Sequence, residues 1–297
     1  MNSYAKLNLL LIQIGRRLFK NTKVQHFKIT QFIHNALYRK IISSLPKEIE
    51  FRNLHFEVIR EDASINPSIF DGSFENNEIN WLLARCKKHI SKINRQIIFI
   101  DVGANIGIYS ILVASIKTDN LIRVYCFEPD IRNLNKLETN IKLNNLKNIT
   151  VSNKAISSSN GFVNLYLEAN SGTNYVTAES NSHTRLVPST TLSEVFDIVD
   201  NISNATLILK IDVEGLEGSI LNSAMKEIRI LRPDILFEFS GVRKLQERST
   251  NETVIDELYD IYDNMLVMNG QKILQNEEAI NYLHSLENQT VNVILFN

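Results

Sequence analysis

The sequence predicts an α/β fold, a mostly parallel sheet covered by helices on both faces. Three observations carry this. From Ile97 onward, apolar runs of strand length alternate with amphipathic helical stripes, the pattern of parallel strands joined by crossover helices. Four of the strands end directly on an acid, at Asp101, Glu128, Asp212 and Glu238. Between Asp101 and Gly107 a glycine-bearing turn links the first of these strands to its helix. In an open α/β sheet the ligand crevice lies along that carboxyl edge.

The 297 residues are 44% hydrophobic, enough for a sizeable core, and carry a net charge of −1. The charge is unevenly spread. Nine of the 32 Lys and Arg precede Glu48, and none of the 33 Asp and Glu does. Residues 1–48 are therefore read as a basic helical extension and 49–297 as the main domain. Leu7, Leu10, Leu11, Ile14 and Leu18 share one helical face, and Ile29, Phe32, Ile33, Leu37 and Ile41 share another. These helices suit a cap on the domain, self-association, or contact with an anionic membrane surface through residues 1–47. Nucleic acid is not expected as a partner, because no aromatic–basic interleaving accompanies the charge. Leu7–Ile14 is too short for a signal sequence or a membrane span, and the reading is a cytoplasmic protein, with any membrane contact peripheral. Cys86 and Cys126 lie far apart in apolar surroundings and read as small buried hydrophobes. The six histidines show no metal-ligand spacing.

Phe51–Ile59 and Asp62–Asp71 read as short strands and loops, with Pro67 as a breaker. Ile79, Leu82, Leu83, Cys86 and Ile90 form one face of a helix that ends in the basic turn Lys87-Lys88-His89. Strand 97–101 then leads to helix 107–117, strand Ile122–Glu128 to helix Asp130–Asn144, and strand Thr150–Ala155 follows. Residues 161–187 hold one strand, Phe162–Leu167, in a polar stretch. Thr191-Leu-Ser-Glu194 is a capping box that starts a short helix. Strand Thr206–Asp212 leads to helix Glu217–Ile228, and strand Asp234–Glu238 leads to helix Glu252–Tyr262. Leu266–Met268 and Val291–Phe296 close the chain as a hairpin-like pair, without a long helix between them, one of them antiparallel.

The acids admit chemical roles. Glu128 ends the second strand, where a dinucleotide fold places the carboxylate that grips ribose hydroxyls. Pro129 holds Glu128 extended and suits the start of the next helix. The turn reads Asp-x-Gly-x-Asn-x-Gly, so the pyrophosphate fingerprint Gly-x-Gly-x-x-Gly is absent. A nucleoside cofactor without phosphates fits better, namely S-adenosylmethionine. Asp101 would favour its positive charges, and the helix start after Gly107 its carboxylate. In Lys210-Ile-Asp-Val-Glu-Gly215, Lys210 and Asp212 share a strand face. They read either as a buried ion pair or, with Glu214, as catalytic groups that orient or deprotonate an acceptor hydroxyl. Asp212 and Glu214 are also the carboxylates a divalent cation would use, although no metal is assigned.

These motifs resemble the FkbM family of S-adenosylmethionine-dependent methyltransferases over about residues 70–240. The resemblance rests on Gly72-Ser-Phe-Glu75, on Phe99-Ile-Asp-Val-Gly-Ala-Asn-Ile-Gly-Ile-Tyr-Ser110, and on Phe127-Glu-Pro-Asp130. It rests also on Thr191-Leu192, on Leu209-Lys-Ile-Asp-Val-Glu-Gly215, and on Pro233 to Glu238. It implies a Rossmann-like class I methyltransferase fold with seven strands. It further implies cofactor contacts at Asp101, Gly103, Asn105, Gly107 and Glu128, with Glu75 added from the first motif. The implied reaction is O-methylation of a sugar, glycan or natural-product hydroxyl. A catalytically silent binding protein that keeps the fold is the alternative, ahead of an NAD-dependent oxidoreductase.

Overall fold

The computed structural model describes residues 46–58, 69, 72–93, 95–118, 121–167, 174–177, 180–240, 248–270, 272–286 and 289–297. The two helices expected within residues 1–45, and most of the segment 59–71, lie outside them. The chain divides into two compact units, Met1–Glu75 and Asn76–Asn297.

In the first unit β1 (Glu48–Phe51) pairs antiparallel with β2 (Leu54–Glu57). The turn residues Arg52 and Asn53 both have positive φ, 53° and 65°. This is the backbone twist that two-residue hairpin turns favour. Phe51 and Phe56 meet edge to face, ring centroids 6.5 Å apart.

The second unit opens with α1 (Asn76–Ile93), which runs past the expected basic turn. Next come β3 (Ile97–Val102), α2 (Ile108–Ala114), β4 (Ile122–Phe127), α3 (Ile131–Leu143) and β5 (Ile149–Ser152). β6 (Ala155–Ile156), β7 (Gly161–Tyr166), β8 (Tyr175–Thr177) and β9 (Thr184–Thr190) follow, then α4 (Leu192–Ile198) and β10 (Thr206–Ile211). α5 (Glu217–Ser223), α6 (Met225–Leu231), β11 (Asp234–Ser240), α7 (Arg248–Ile261), β12 (Asn264–Asn269), β13 (Lys272–Gln275), α8 (Asn276–Ser285) and β14 (Thr290–Phe296) complete the order.

The main sheet runs β13-β12-β14-β11-β10-β3-β4-β5. β11, β10, β3, β4 and β5 are parallel neighbours. β14 inserts antiparallel between β11 and β12. All six residues of β3 are buried, as a central strand covered on both faces requires. Strand order reverses between β3 and β10, which opens a crevice at their carboxyl ends.

The fold class is as the sequence predicts, a Rossmann-like α/β fold, but the sheet has eight strands rather than seven. The extra one, β13, is an edge strand folded back on β12. A helix also separates the closing strands: Ala279, Ile280 and Leu283 give α8 a short buried face. The expected strand 150–155 is two, because exposed Asn153 and Lys154 carry the chain from β5 into a second sheet. That sheet, β6-β9-β7-β8, reaches beyond the polar stretch on both sides, and its β7 is the expected strand Phe162–Leu167. Its sequence hides the other strands because part of the sheet faces solvent, Phe162 and Leu186 being exposed. The helix expected over 217–228 breaks at Ala224 (φ −115°), fully buried with no Gly or Pro to announce it. At α4 the capping box is half formed. Thr191 accepts from the Glu194 N–H, while the Thr191 N–H donates to Asn160 instead of Glu194.

Candidate functional site

The glycine turn between β3 and α2 is stitched to the end of β4. The N–H groups of Gly103 and Ala104 both donate to the Phe127 carbonyl, at 3.0 and 3.1 Å. Gly103, Asn105 and Gly107 are all left-handed, with φ 77°, 52° and 88°. A Cβ on Gly103 would lie 1.9 Å from the Asp212 carbonyl oxygen, and one on Gly107 2.3 Å from Leu137 Cδ1. The glycines therefore let β10 and α3 approach this turn, besides baring its backbone. Asn140 Nδ2 donates to the Ile106 carbonyl and fixes the turn to α3.

Glu128 follows β4 and is 5% exposed. Its Oε2 accepts from the Asn105 N–H and its Oε1 from the Asp130 N–H, each at 2.8 Å. Burial pushes its carboxyl up to about 7, against the backbone N–H groups of Asp130 and Asn105 and the Asn133 side chain, which hold it down. Asp130 caps α3 by accepting from the Arg132 N–H, and Asn174 Nδ2 donates to Asp130 Oδ2 at 2.6 Å. That bond ties the small sheet to the start of α3.

Asp101 and Lys210 are cross-strand partners in β3 and β10. Lys210 is buried, its Nζ 2.9 Å from Asp212 Oδ2 and 3.9 Å from Asp101 Oδ1. The same ammonium lies 4.8 Å from the centroid of the Tyr109 ring. Ser110 Oγ donates to Asp101 Oδ2 at 2.5 Å, and the Cys126 thiol donates to Ser110 Oγ. Burial raises the Asp101 carboxyl, opposed chiefly by the Lys210 charge. It also raises both thiols, that of Cys86 to about 12.

The segment after β10 turns sharply, with Glu214 at φ 59° and Gly215 at φ 110°. Glu217 reaches back into it: its carboxylate accepts from the Val213 and Gly215 N–H groups at 3.0 Å. The carboxylate oxygens of Asp212, Glu214 and Glu238 lie within 4.8 Å of one another. Among the described residues this is the group spaced to converge on a hard cation.

Five of the predicted residues, Gly103, Asn105, Glu128, Asp212 and Glu214, line one cleft of ≈ 590 Å³, open to solvent. Asp101, Gly107 and Lys210 stand behind that lining, the first two fixing the turn and the last joining two carboxylates. Glu75 closes the first compact unit in a left-handed conformation, φ 40°. Sequence reasoning missed Asn133, Asn174, Leu165 and Val176 in the wall, and Glu217 behind it. Asn133 falls one turn into α3 and was legible as an inward amide. Val176 belongs to β8, a strand that the polar composition concealed, and Asn174 directly precedes that strand.

The sequence matches the methyltransferase FkbM domain over residues 101–270. No curated protein matches the chain. An FkbM methyltransferase from Methylobacillus flagellatus KT is similar at 17% identity and TM-score 0.35, over 67% of this chain and 43% of that one. The precorrin-6y C5,15-methyltransferase from Geobacter metallireducens GS-15 is similar at 13% identity and TM-score 0.36, over 71% and 87%. The human methyltransferase 10 domain containing protein is similar at 13% identity and TM-score 0.45, over 82% and 88%. The chain thus spans less than half the length of the first of these.

Proposed function

From the premise that this chain belongs to the FkbM methyltransferase family, we propose that it moves a methyl group from S-adenosylmethionine to a hydroxyl of a sugar, glycan or natural product. The observation that carries the reading is Glu128. It is a buried carboxylate at the cleft, aimed by two backbone N–H donors. Each oxygen accepts one of those N–H groups, Asn133 also acts on the carboxylate, and its remaining acceptor capacity serves a ribose hydroxyl. Pro129, Ile156, Leu165 and Val176 give the same cleft apolar walls that suit an adenine ring. The residues present thus fit this cofactor, which supplies when bound a methyl group already activated on a cationic sulfur.

Glu128 would take the ribose, and the Gly103–Asn105 turn would pack against the cofactor's amino-acid side. Asp212 and Glu214 line the cleft and are half-buried. They would orient the acceptor hydroxyl and take its proton as the oxygen bonds to carbon. Holding donor and acceptor in line contributes most of the acceleration, because the leaving sulfur needs no further activation. Lys210 holds Asp212 by its 2.9 Å ion pair and keeps that carboxylate pointed.

A screen of neutral hydroxyl acceptors with methyl-labelled S-adenosylmethionine tests this. The expected result is label on an acceptor oxygen, lost in Asp212→Asn. Label on nitrogen or carbon would overturn the hydroxyl assignment. Binding of S-adenosylmethionine without transfer to any acceptor would support a silent binding protein instead.

A further inference from the structure

We propose that Glu217 is a positioning residue for this cleft: its buried carboxylate sets the shape of the Asp212–Gly215 segment that forms one wall of the donor and acceptor site. This rests on the proposed function for the identity of the ligand, and on geometry alone for the brace itself.

Glu217 is the first residue of α5 and would ordinarily point into water, where an acid favours a helix start. It is 3% exposed instead. Its Oε1 accepts from the Val213 N–H at 3.0 Å and from the Gly215 N–H at 3.2 Å, and its Oε2 accepts from the Gly215 N–H at 3.0 Å. These bonds close the turn from one side. The other side is closed at the Asp212 carbonyl, which lies against the Cβ-less face of Gly103. Between the two clamps the chain holds a non-glycine residue, Glu214, at φ 59°. A left-handed Glu persists only where its surroundings over-determine it. Val213 and Glu214 face the cleft from this turn, so its shape is the shape of the wall.

The brace is electrostatically loaded. Burial pushes the Glu217 carboxyl up to about 7, with its own, the Val213 and the Gly215 N–H groups opposing and Asp212 adding to the rise. Glu238 of β11 shares a small apolar cavity with it, to which α7 contributes Val254 and Ile255. An ionised Glu217 accepts from both amides through both oxygens. A protonated one turns one oxygen into a donor that faces N–H groups, and the clamp loosens.

The test uses the full chain, with S-adenosylhomocysteine as the probe and Glu217→Gln as the variant, because it keeps the volume and removes the second acceptor. Glu194→Gln, at the start of α4, is the control for loss of a helix-start acid. Glu217→Gln is expected to bind the probe about tenfold more weakly, while Glu194→Gln binds as the parent does. In amide NMR spectra of the parent, the Val213 and Gly215 signals are expected to titrate near pH 7, and in Glu217→Gln that titration disappears. A folded Glu217→Gln with unchanged probe affinity, or with the same titration at both amides, overturns the proposal. If the parent itself fails to bind the probe, the methyl-donor reading fails. The amide titration then decides the brace on its own.

Discussion

The Asn105 N–H donates to Glu128 Oε2 at 2.8 Å and so joins the glycine turn after β3 to the acid after β4. One bond thus connects the two motifs most visible in the sequence. It also gives a purpose to the left-handed Asn105, φ 52°, since that conformation points the amide at the carboxylate.

Replacing Glu128 with Ala removes the acceptor for ribose hydroxyls and strands two N–H groups. S-adenosylmethionine binding should weaken by ~1–3 kcal/mol, roughly 5- to 150-fold. Calorimetry measures it, and an unchanged affinity removes the ribose assignment.

The titration of Glu128 near 7 fixes the sign of two pH effects. Its folded-state value lies above the ordinary 4.5, so the contribution to stability is full below about pH 4.5 and is lost as pH rises through about 7. Cofactor binding through the ionised form runs the opposite way and weakens as pH falls below about 7. Denaturant unfolding of the parent and of Glu128→Gln between pH 5 and 8 should show the parent losing stability relative to the variant as pH rises. Parallel curves would contradict the raised carboxyl.

Lys210 compensates two carboxylates from a buried position. Lys210→Met removes the charge that compensates the buried Asp101 carboxyl and should destabilise the fold by ~3–5 kcal/mol. Adding Asp101→Asn should recover much of that, because the uncompensated charge goes too. Additive losses in the double variant would show that the two side chains are not coupled.

The two glycines should respond differently to Ala. At Gly103 the new Cβ meets a backbone carbonyl at 1.9 Å, and backbone cannot give way cheaply; at Gly107 it meets the end of a Leu137 side chain. Gly103→Ala should therefore cost more unfolding free energy than Gly107→Ala, by ~1 kcal/mol or more. Leu137→Ala should relieve part of the cost only in the Gly107 variant. Equal costs would place the constraint in φ alone.

The central sheet was legible because β3, β4, β10 and β11 are mainly apolar runs with an acid within two residues of each carboxyl end, and central parallel strands require apolar composition. Glu128 and the glycine turn were legible for the same reason, since a ligand edge needs polar groups just beyond apolar ones. Of the small sheet only β7 was, as Phe162–Leu167; β9 sets buried Val187 beside exposed Arg185 and Leu186, and all three residues of β8 are half-buried. Strand faces half in water carry no clean period. The role of Glu217 was hidden differently. At a helix start an acid is expected on propensity alone, and only three-dimensional placement shows it turned inward.

Calorimetric titration of the full chain with S-adenosylmethionine, with NAD as the comparison, tests the central claim most directly. The account predicts one site for S-adenosylmethionine, weakened roughly 5- to 150-fold in Glu128→Ala, and no heat with NAD. A folded protein that binds NAD, or that leaves S-adenosylmethionine unbound, would contradict it.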